Sequence, residues 1–463
     1  MQRLAELEQR ELPEPPALRK LIGPSFIILG LGLGSGELIL WPYLVSRFGL
    51  GIIWGAVLGV TLQFFMNMEI ERYTLINGES IFVGFARKWR GLPVWFLLST
   101  FLPWMWPGII TTAAAVLGSP LGWVQTQYLA MGLLVLIGII LTLGPVLYKI
   151  QESLQKWFIY LGAPFIFGLA IVLAKAHDWT ALVQGVMGRG EGYWWLPVGI
   201  PMASFLAALA YSGAGGNLNL AQSYYVREKG YGMGKFMGRI TSVLTGKSEQ
   251  MKLTGVTFAP DSENMSRFKR WWRLINMEHG LIFLVVGLIT ILLLALLAYT
   301  TTYGTVSGIE GIGFVAEEAA IIGRQLFPFL GSLFLIVVAV MLFATQLSVL
   351  DATSRILAEN LLLVQTKWQE QHLRGLFYVC LWIQIITGVM VLALGFKQPL
   401  ALLTLSAVLN AVAMLVHCGL TLWLNTTALP VGLRPNWWRR AMLGGAVLVF
   451  SGLSGYTVMS IFR

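Results

Sequence analysis

The chain has 463 residues, of which 56% are hydrophobic and only 12% are charged. Soluble domains carry about 25% charged residues, so an assembly of soluble domains is excluded. Apolar runs of about 20 residues, the length that crosses a bilayer as a helix, recur along the whole chain. The composition therefore predicts an all-helical integral membrane protein with many spans.

Few residues are available for redox or catalytic chemistry. The two cysteines, Cys380 and Cys418, lie in apolar runs, and the four histidines are scattered. No nucleotide-binding motif occurs, and no His, Cys or Ser stands beside a base in a catalytic pattern. We therefore expect no cofactor, no use of ATP and no enzymatic activity.

Eleven segments are predicted to cross the membrane, and we number them span 1 to span 11. They lie at about 22–46, 50–73, 92–117, 127–147, 155–175, 194–226, 276–302, 325–352, 375–396, 399–425 and 441–461. We divide the chain into a tail at 1–20 and a membrane domain at 21–463.

The distribution of basic residues predicts the orientation of these spans. With the N-terminus inside, the cytosolic segments hold 26 of the 32 Lys and Arg residues, as the positive-inside rule requires. The tail lacks the basic start and apolar core of a signal peptide, so we expect a cytosolic tail and an outside C-terminus. The net charge of +10 follows from this topology and from contact with anionic lipid, and no nucleic-acid partner is expected.

The longest loop, at about 227–274, holds ten of the basic residues. We interpret it as a solvated loop that faces lipid headgroups, and a regulatory contact is the alternative. Oligomeric state and the direction of any movement across the membrane are not encoded in residues that can be read.

Two spans are interrupted by glycine. Span 1 contains LGLGLGSGELILWP and span 6 contains YSGAGGNLNLAQS. Such interruptions inside a bilayer are tolerated where they face protein or a water-filled cavity, and a matching pair in two halves indicates a binding site at the midplane. Close packing of helices through small residues is the alternative interpretation. Glu37 favours the first, because a carboxylate at that depth is costly and usually functional.

The segment from Gly23-Pro24 to Phe48-Gly49 resembles the first span of the Nramp divalent-metal transporters. The Asn-Leu-x-Leu after the break in span 6, Ala344-Thr345-Gln346-x-Ser348 in span 8 and Gly78-Glu79-Ser80 after span 2 are also similar to that family. The resemblance covers about residues 20–425. It implies a LeuT-type fold of two inverted five-helix repeats, at about 21–175 and 194–396, with extra helices at about 399–461.

The resemblance ends at the family's metal site. The span 1 motif Asp-Pro-Gly-Asn stands here as Gly34-Ser35-Gly36-Glu37, and the span 6 motif Met-Pro-His stands as Ala214-Gly215-Gly216. The acidic residues that the family places in span 3 for proton passage are absent. Thioether and imidazole ligands select softer metals, so their loss argues against a soft transition metal. The smaller residues also predict a larger cavity.

Two solutes fit a cavity with one carboxylate. The first is a hard divalent cation, Mg or Mn, that keeps part of its water and is held by Glu37 and Asn217. The alternative is a small organic solute such as an amino acid or amine, and a non-transporting sensor is a further alternative. The predicted substrate-binding residues are Gly34, Ser35, Gly36, Glu37, Gly213, Ala214, Gly215, Gly216, Asn217 and Asn410.

Two further groups of polar residues are candidates for roles in transport. Thr345, Ser348 and Asp351 in span 8 form a candidate coupling-ion site, although Asp351 stands four residues before Arg355 and an ion pair is the simpler interpretation. Glu69 and Arg72 in span 2 are three residues apart and form a candidate gate. The sequence does not identify a coupling ion. We expect a secondary transporter in a bacterial inner membrane, with a small solute and lipid as its only predicted partners.

Overall fold

The computed structural model describes residues 4–16, 24–32, 34–123, 125–143, 158–237, 252–305, 311–365 and 370–461. Helices dominate this part of the chain, as predicted. Their bounds are α1 Pro24–Gly32, α2 Trp41–Phe48, α3 Trp54–Asn77, α4 Ile81–Lys88, α5 Leu92–Trp104, α6 Gly108–Gly118, α7 Thr126–Leu143, α8 Ala163–Leu173, α9 Ala176–Val186, α10 Met202–Ala210, α11 Asn217–Leu220, α12 Gln222–Lys229, α13 Ser262–His279, α14 Gly287–Thr302, α15 Gly313–Gln325, α16 Pro328–Val364, α17 Leu373–Ala393, α18 Pro399–Thr427 and α19 Trp437–Ile461.

Within the described residues, nine helices are long and apolar enough to cross a membrane. A tenth candidate is a pair of helices, Tyr160–Leu173 and Ala176–Val186, whose directions differ by 115° at a short break. Span 6 is outside this count because α10, α11 and α12 are each short. The predicted total of eleven and the predicted orientation of the termini stay predictions.

Both glycine-rich spans are interrupted as predicted. In span 1, α1 ends at Gly32, and a π-helical turn at Gly36–Leu40 leads into α2. The N–H of Gly34 donates to the carbonyl oxygen of Gly32 at 2.7 Å, which is not a helical hydrogen bond. In span 6, the chain leaves the helical path between α10 and α11, at 211–216.

Span 3 is found as one candidate membrane span, Leu92–Leu121, but it is divided into α5 and α6, because Pro107 cannot donate the hydrogen bond that a continuous helix needs. Two predicted boundaries were wrong. The predicted loop at 227–274 contains most of α13, which begins at Ser262 and is followed by a π-helical stretch at Gly280–Val286 and by α14 within one candidate span, Ser262–Thr302. Span 8 extends to Val364, twelve residues beyond its predicted end. Part of span 4 and of span 5, at 144–157, lies outside the described residues.

The N-terminal tail packs against one end of the bundle, which we call the tail end. Strand β1 (Glu8–Gln9) pairs in parallel with a strand at Val256–Thr257. Beyond it, the N–H of Leu12 donates to Asn264 Oδ1 at 2.9 Å, and Trp271 Nε1 donates to the carbonyl oxygen of Pro13 at 2.6 Å. The tail is thus held by α13.

The residue before α13 shows why that helix begins where it does. Asp261 Oδ1 accepts a hydrogen bond from the N–H of Asn264 at 2.8 Å, which satisfies one of the unpaired donors of the first turn. This bond lowers the pKa of the Asp261 carboxyl below its usual range.

Helix α15 lies at the opposite end of the bundle, between α14 and α16. Its Phe314 is buried and packs against the ring of Tyr43 in α2, with centroids 5.9 Å apart. Glu318 of α15 is also buried, with 3% of its surface exposed, and this burial raises its pKa to about 8. Burial therefore favours the protonated, uncharged form of the Glu318 carboxyl group.

We expect Glu318→Gln to remove a pH dependence of stability. The folded protein binds more protons than the unfolded chain between the ordinary pKa of 4.5 and the raised value of about 8, so stability falls as pH rises through this interval. The melting temperature of the purified protein at pH 5 and pH 8 should therefore differ less in Glu318→Gln than in the wild type. Glu317→Gln is the control, since Glu317 pairs with the exposed Arg324. Equal pH dependence in all three proteins would contradict the assignment.

Candidate functional site

The two interruptions cross in direct contact. A Cβ on Gly32 would stand 2.9 Å from the carbonyl carbon of Gly213, and a Cβ on Gly36 would overlap the carbonyl oxygen of Tyr211. Gly215 and Gly216 have φ values of 75° and 58°, a left-handed conformation that favours glycine. The glycines therefore both interrupt the helices and let the two spans pack closely.

The backbone groups released at the break in span 6 are bound by protein. The carbonyl oxygen of Ala208 accepts from Ser212 Oγ at 2.9 Å, and that of Leu209 accepts from the N–H of Ser212 at 3.3 Å. Gln63 of α3 completes the set with both ends of its amide. Its Nε2 donates to the carbonyl oxygen of Ala210 at 3.0 Å, and its Oε1 accepts from the N–H of Gly215 at 3.2 Å.

Gln63 also receives a hydrogen bond from Asn219 Nδ2, at 3.2 Å. One buried side chain therefore spans the break, tying the end of α10 to the start of α11 and to α3. The carbonyl oxygen of Gly30 in span 1 is bound in the same manner, by Thr345 Oγ1 of α16 at 3.2 Å.

At three of the replaced positions, Gly34, Gly215 and Gly216, neighbouring atoms leave no room for an enlarged cavity. The side chain of Thr345 fills the space beside Gly34, and the amide of Asn410 fills the space beside Gly216. Gly215 is covered by the ring of Tyr211, 2.6 Å from the place of a Cβ. Residues on neighbouring helices have taken up the volume that the smaller residues left. Ser35, Gly213 and Ala214 are also buried within this crossing.

A polar and aromatic group lies on the α18 side of the crossing. Asn410 Nδ2 donates to Tyr211 Oη at 2.9 Å, and the Tyr211 hydroxyl contacts Ser406 Oγ at 2.8 Å. The ring of Trp104 stacks on Tyr211, with centroids 5.6 Å apart and planes inclined by 11°. Asn410 therefore lies beside the break in span 6 and forms a hydrogen bond between helices; its role in substrate binding stays a prediction.

The two predicted cation ligands lie on different sides of the crossing. Glu37 Oε1 is 3.9 Å from the place of a Cβ on Gly287, so this carboxylate faces α14. Asn217 Nδ2 donates to Ser99 Oγ at 3.0 Å, so its amide is bound to α5. Among the described residues, no three His, Cys, Asp or Glu side chains are arranged to hold a metal ion. The metal assignment of Glu37 and Asn217 stays a prediction.

Several buried polar atoms of the crossing have no hydrogen-bond partner among the described residues. Three of them are acceptors: Glu37 Oε2, Asn217 Oδ1 and Asn410 Oδ1. The fourth is a donor, Trp104 Nε1. An unsatisfied buried polar atom costs about 1–3 kcal/mol, so these four atoms would each be stabilised by a partner.

The candidate coupling-ion residues are divided between two settings. Asp351 Oδ2 pairs with Arg355 Nε at 2.7 Å, and Arg355 also contacts Glu228 of α12. Thr345 instead faces Gly30 in span 1. Six residues of helix separate Thr345 from Asp351, a rise of about 9 Å. The assignment of Thr345, Ser348 and Asp351 to a coupling-ion site stays a prediction.

The candidate gate residues form the predicted pair and a larger network. Arg72 Nε lies 2.7 Å from Glu69 Oε2, and both side chains are buried. Arg439 of α19 reaches Glu69 Oε1 at 3.3 Å, and Asn425 Nδ2 donates to Glu69 Oε2 at 3.1 Å. The network joins α3, α18 and α19. Its role as a gate stays a prediction.

Sequence reasoning missed Gln63, Tyr211 and Trp104. Gln63 carries a usable signal, since an amide in the middle of an apolar span needs a partner within the protein. Tyr211 and Trp104 carry none, because aromatic residues occur throughout the chain.

A helical membrane protein with two interrupted spans that cross near their middle is the class that this fold and site define. Solved structures of the same architecture are transporters. A mutant of the Eremococcus coleocola manganese transporter has a TM-score of 0.70 at 15% identity, over 98% of this chain and 90% of that one. The same transporter with an aromatic bis-isothiourea substituted compound has a TM-score of 0.63 at 16% identity, with the same coverage.

Mhp1, a nucleobase-cation-symport-1 family transporter in a closed conformation with bromovinylhydantoin bound, has a TM-score of 0.58 at 11% identity, over 96% of this chain and 95% of that one. These likenesses confirm the predicted LeuT-type fold and the structural likeness to a metal transporter. No protein-family model and no curated protein matches the chain.

We expect Gln63→Leu to destabilise the protein by about 3 kcal/mol, because it leaves the buried N–H of Gly215 and carbonyl oxygen of Ala210 without a partner. Thermal unfolding of the purified protein measures this loss. Gln384→Leu is the matched control, since the Gln384 amide is also buried but, among the described residues, bonds outside its own helix only to Ser354. An equal effect of the two substitutions would show that Gln63 has no special role at the break.

We expect Gly36→Ala to prevent the spans from crossing, because its Cβ would overlap the backbone of Tyr211. The yield of monodisperse protein in size-exclusion chromatography should fall sharply. Gly444→Ala is the control, since nothing lies within 4 Å of a Cβ there and alanine stabilises an interior helical position by about 0.5–1 kcal/mol. A Gly36→Ala protein that melts like the wild type would contradict the close crossing.

Proposed function

We propose that the protein is a secondary transporter that moves a small solute with a positively charged group by alternating access around the crossing of spans 1 and 6. One observation carries the proposal: the buried atoms without partners at the crossing are mainly acceptors, and one belongs to the carboxylate of Glu37. Acceptors are satisfied by metal ions, by water bound to a metal ion, or by the N–H groups of an ammonium.

The charge of Glu37 supports the same conclusion. No ion pair or hydrogen bond within the described residues involves its carboxylate, which is 1% exposed. A charge at this depth is costly unless a counter-charge accompanies it, and a cationic substrate provides one each time it binds.

The first candidate substrate is a hard divalent cation such as Mg²⁺ or Mn²⁺. A carboxylate and two amide oxygens are hard ligands. Since the amide oxygens and Glu37 lie on different sides of the crossing, the ion would keep several of its waters and bind the more distant acceptors through them, as Mg²⁺ does readily. The overall likeness to a manganese transporter is compatible with this choice.

The second candidate is a small organic amine or amino acid. The stacked rings of Trp104 and Tyr211 favour it, because an aromatic wall packs against carbon atoms. Trp104 Nε1 offers a donor to a carboxylate of such a solute, and Glu37 would accept its ammonium group. A bacterial plasma membrane as host, and the two inverted repeats at 21–175 and 194–396, belong to the same proposal.

Binding and flux experiments on Glu37→Gln test the proposal. The wild type should be stabilised in a thermal-shift titration by Mg²⁺ or Mn²⁺, or by one member of a panel of amines and amino acids. Glu37→Gln should lose most of this stabilisation, because it removes the carboxylate that supplies the charge at the crossing in the described part of the chain. Glu317→Gln is the control, since its carboxylate is in the exposed pair with Arg324.

The outcomes separate the candidates. Saturable stabilisation by a divalent ion alone supports the cation, and stabilisation by an amine alone supports the organic solute. Uptake of the stabilising solute into proteoliposomes separates a transporter from a sensor that binds without moving its ligand. Stabilisation by anions alone, unchanged in Glu37→Gln, would overturn the proposal.

A further inference from the structure

A second cluster of buried polar side chains lies between the crossing and the tail end. Gln222 Nε2 of α12 donates to Glu71 Oε1 of α3 at 2.6 Å, and His279 Nδ1 of α13 lies 3.4 Å from the same oxygen. Ser25 Oγ of α1 is 2.8 Å from His279 Nδ1 and donates to Glu278 Oε2. We call Ser25, Glu71, Gln222, Glu278 and His279 the inner cluster.

The inner cluster is shielded from solvent. Each of its five side chains is at most 3% exposed. The His279 ring lies between two aromatic rings, with centroids 4.8 Å from Phe283 and 5.6 Å from Phe64. Glu71 Oε2 and His279 Nε2 have no hydrogen-bond partner in the described part of the chain.

Several charged side chains on the surrounding elements form ion pairs with one another: Glu69 with Arg72 and Arg439, Asp351 and Glu228 with Arg355, and Arg227 with Glu359. The charged groups that face Glu71 in the described residues are His279, which is a cation only when protonated, and the like-charged Glu278. Protons can therefore change the charge of the cluster without disturbing the neighbouring networks.

The inner cluster is placed where the two interrupted spans would have to move. Ser25 belongs to α1, the part of span 1 before its break, and Gln222 belongs to α12, the part of span 6 after its break. The Phe283 ring that stacks on His279 also reaches the break in span 6, with its tip 2.8 Å from the place of a Cβ on Gly213. Four residues further along the same helix, Gly287 faces Glu37.

We propose that the inner cluster is a proton-binding site in which Glu71 and His279 share one proton, and that this proton sets how firmly α1 is held against α3 and α13. The inference rests on the proposed transport function, since α1 is expected to move during alternating access. None of these five residues is among those predicted from the sequence to bind substrate or a coupling ion.

The direction of the effect follows from the charges. Without the shared proton, the Glu71 carboxylate faces Glu278 across Ser25 and a neutral imidazole, and the two like charges repel each other in a medium with little screening. With the proton, on either Glu71 or His279, that repulsion is removed or balanced by a facing cation. The proton belongs to the pair rather than to one residue. Acid should therefore tighten the contact of α1, and base should loosen it.

Hydrogen–deuterium exchange of the purified full-length protein tests the proposal without any substrate. After correction for the intrinsic exchange rate, the peptide that covers α1 should exchange more slowly at pH 5.5 than at pH 8. The expected ratio is roughly tenfold for each pKa unit by which the proton affinity of the pair differs between the held and released positions of α1. Glu71→Gln and His279→Gln should each abolish most of this difference. His417→Gln is the matched control, since His417 is equally buried and contacts Trp95 rather than a carboxylate.

The results separate this inference from the proposed function. The proton site is overturned if the exchange of α1 in the wild type does not depend on pH. It is also overturned if Glu71→Gln and His279→Gln show the same pH dependence as the wild type. Either result holds whatever solute the proteoliposomes take up. A pH response that both substitutions remove supports the site, even where no solute is taken up. If Glu71→Gln fails to fold, Ser25→Ala provides the second variant, since it breaks the link from the pair to α1 and should loosen α1 at both pH values.

Discussion

The fold depends on one constraint: a backbone interrupted inside a bilayer must find its hydrogen bonds within the protein. Two breaks at the same depth release carbonyl and N–H groups that water does not reach. Gln63, Ser212 and Thr345 bind these groups at the ends of α1 and α10. Gln63 and Thr345 reach these groups from packed helices, and Ser212 binds them from within the break, so the breaks are supported by the rest of the bundle.

Because side chains bind the released backbone groups, fewer of these groups can contact a solute at the crossing. Backbone carbonyls of span 6 are therefore less available to a solute than the sequence suggested. Under the proposed function, recognition falls to the side chains that lack partners, with Glu37 as the source of charge. Such a site would select by charge and by donor geometry more than by the size of an ion.

The sequence predicted the structure at positions where a residue type is energetically unfavourable in a membrane helix. Glycine runs inside two apolar spans, and the carboxylate of Glu37 beside one of them, indicated the breaks because each is unfavourable in a plain membrane helix. The pair of Glu69 and Arg72 was predictable because three residues separate them on one helix. By contrast, Arg439 joins that pair from 370 residues away, which no local pattern reveals.

The errors have a shared cause. Predicted boundaries followed hydropathy, yet α13 is amphipathic and polar where it extends beyond the apolar part of its span, and α16 continues past Asp351 through a series of buried ion pairs. The cavity was expected to grow because residues were considered one at a time. In the folded protein Thr345 and Asn410 fill the space that smaller residues leave, so volume is conserved by neighbours distant in the chain.

The attachment of the N-terminal tail has a consequence for the order of assembly. The tail is made first, yet the residues that hold it, from Val256 to Trp271, are made after six predicted spans. Until those residues are synthesised, the tail lacks the partners that it contacts in the folded protein. Docking of residues 4–16 can then occur only after the chain has reached Trp271, with five predicted spans still to follow, and protection of this segment from a protease would report that this point has been passed.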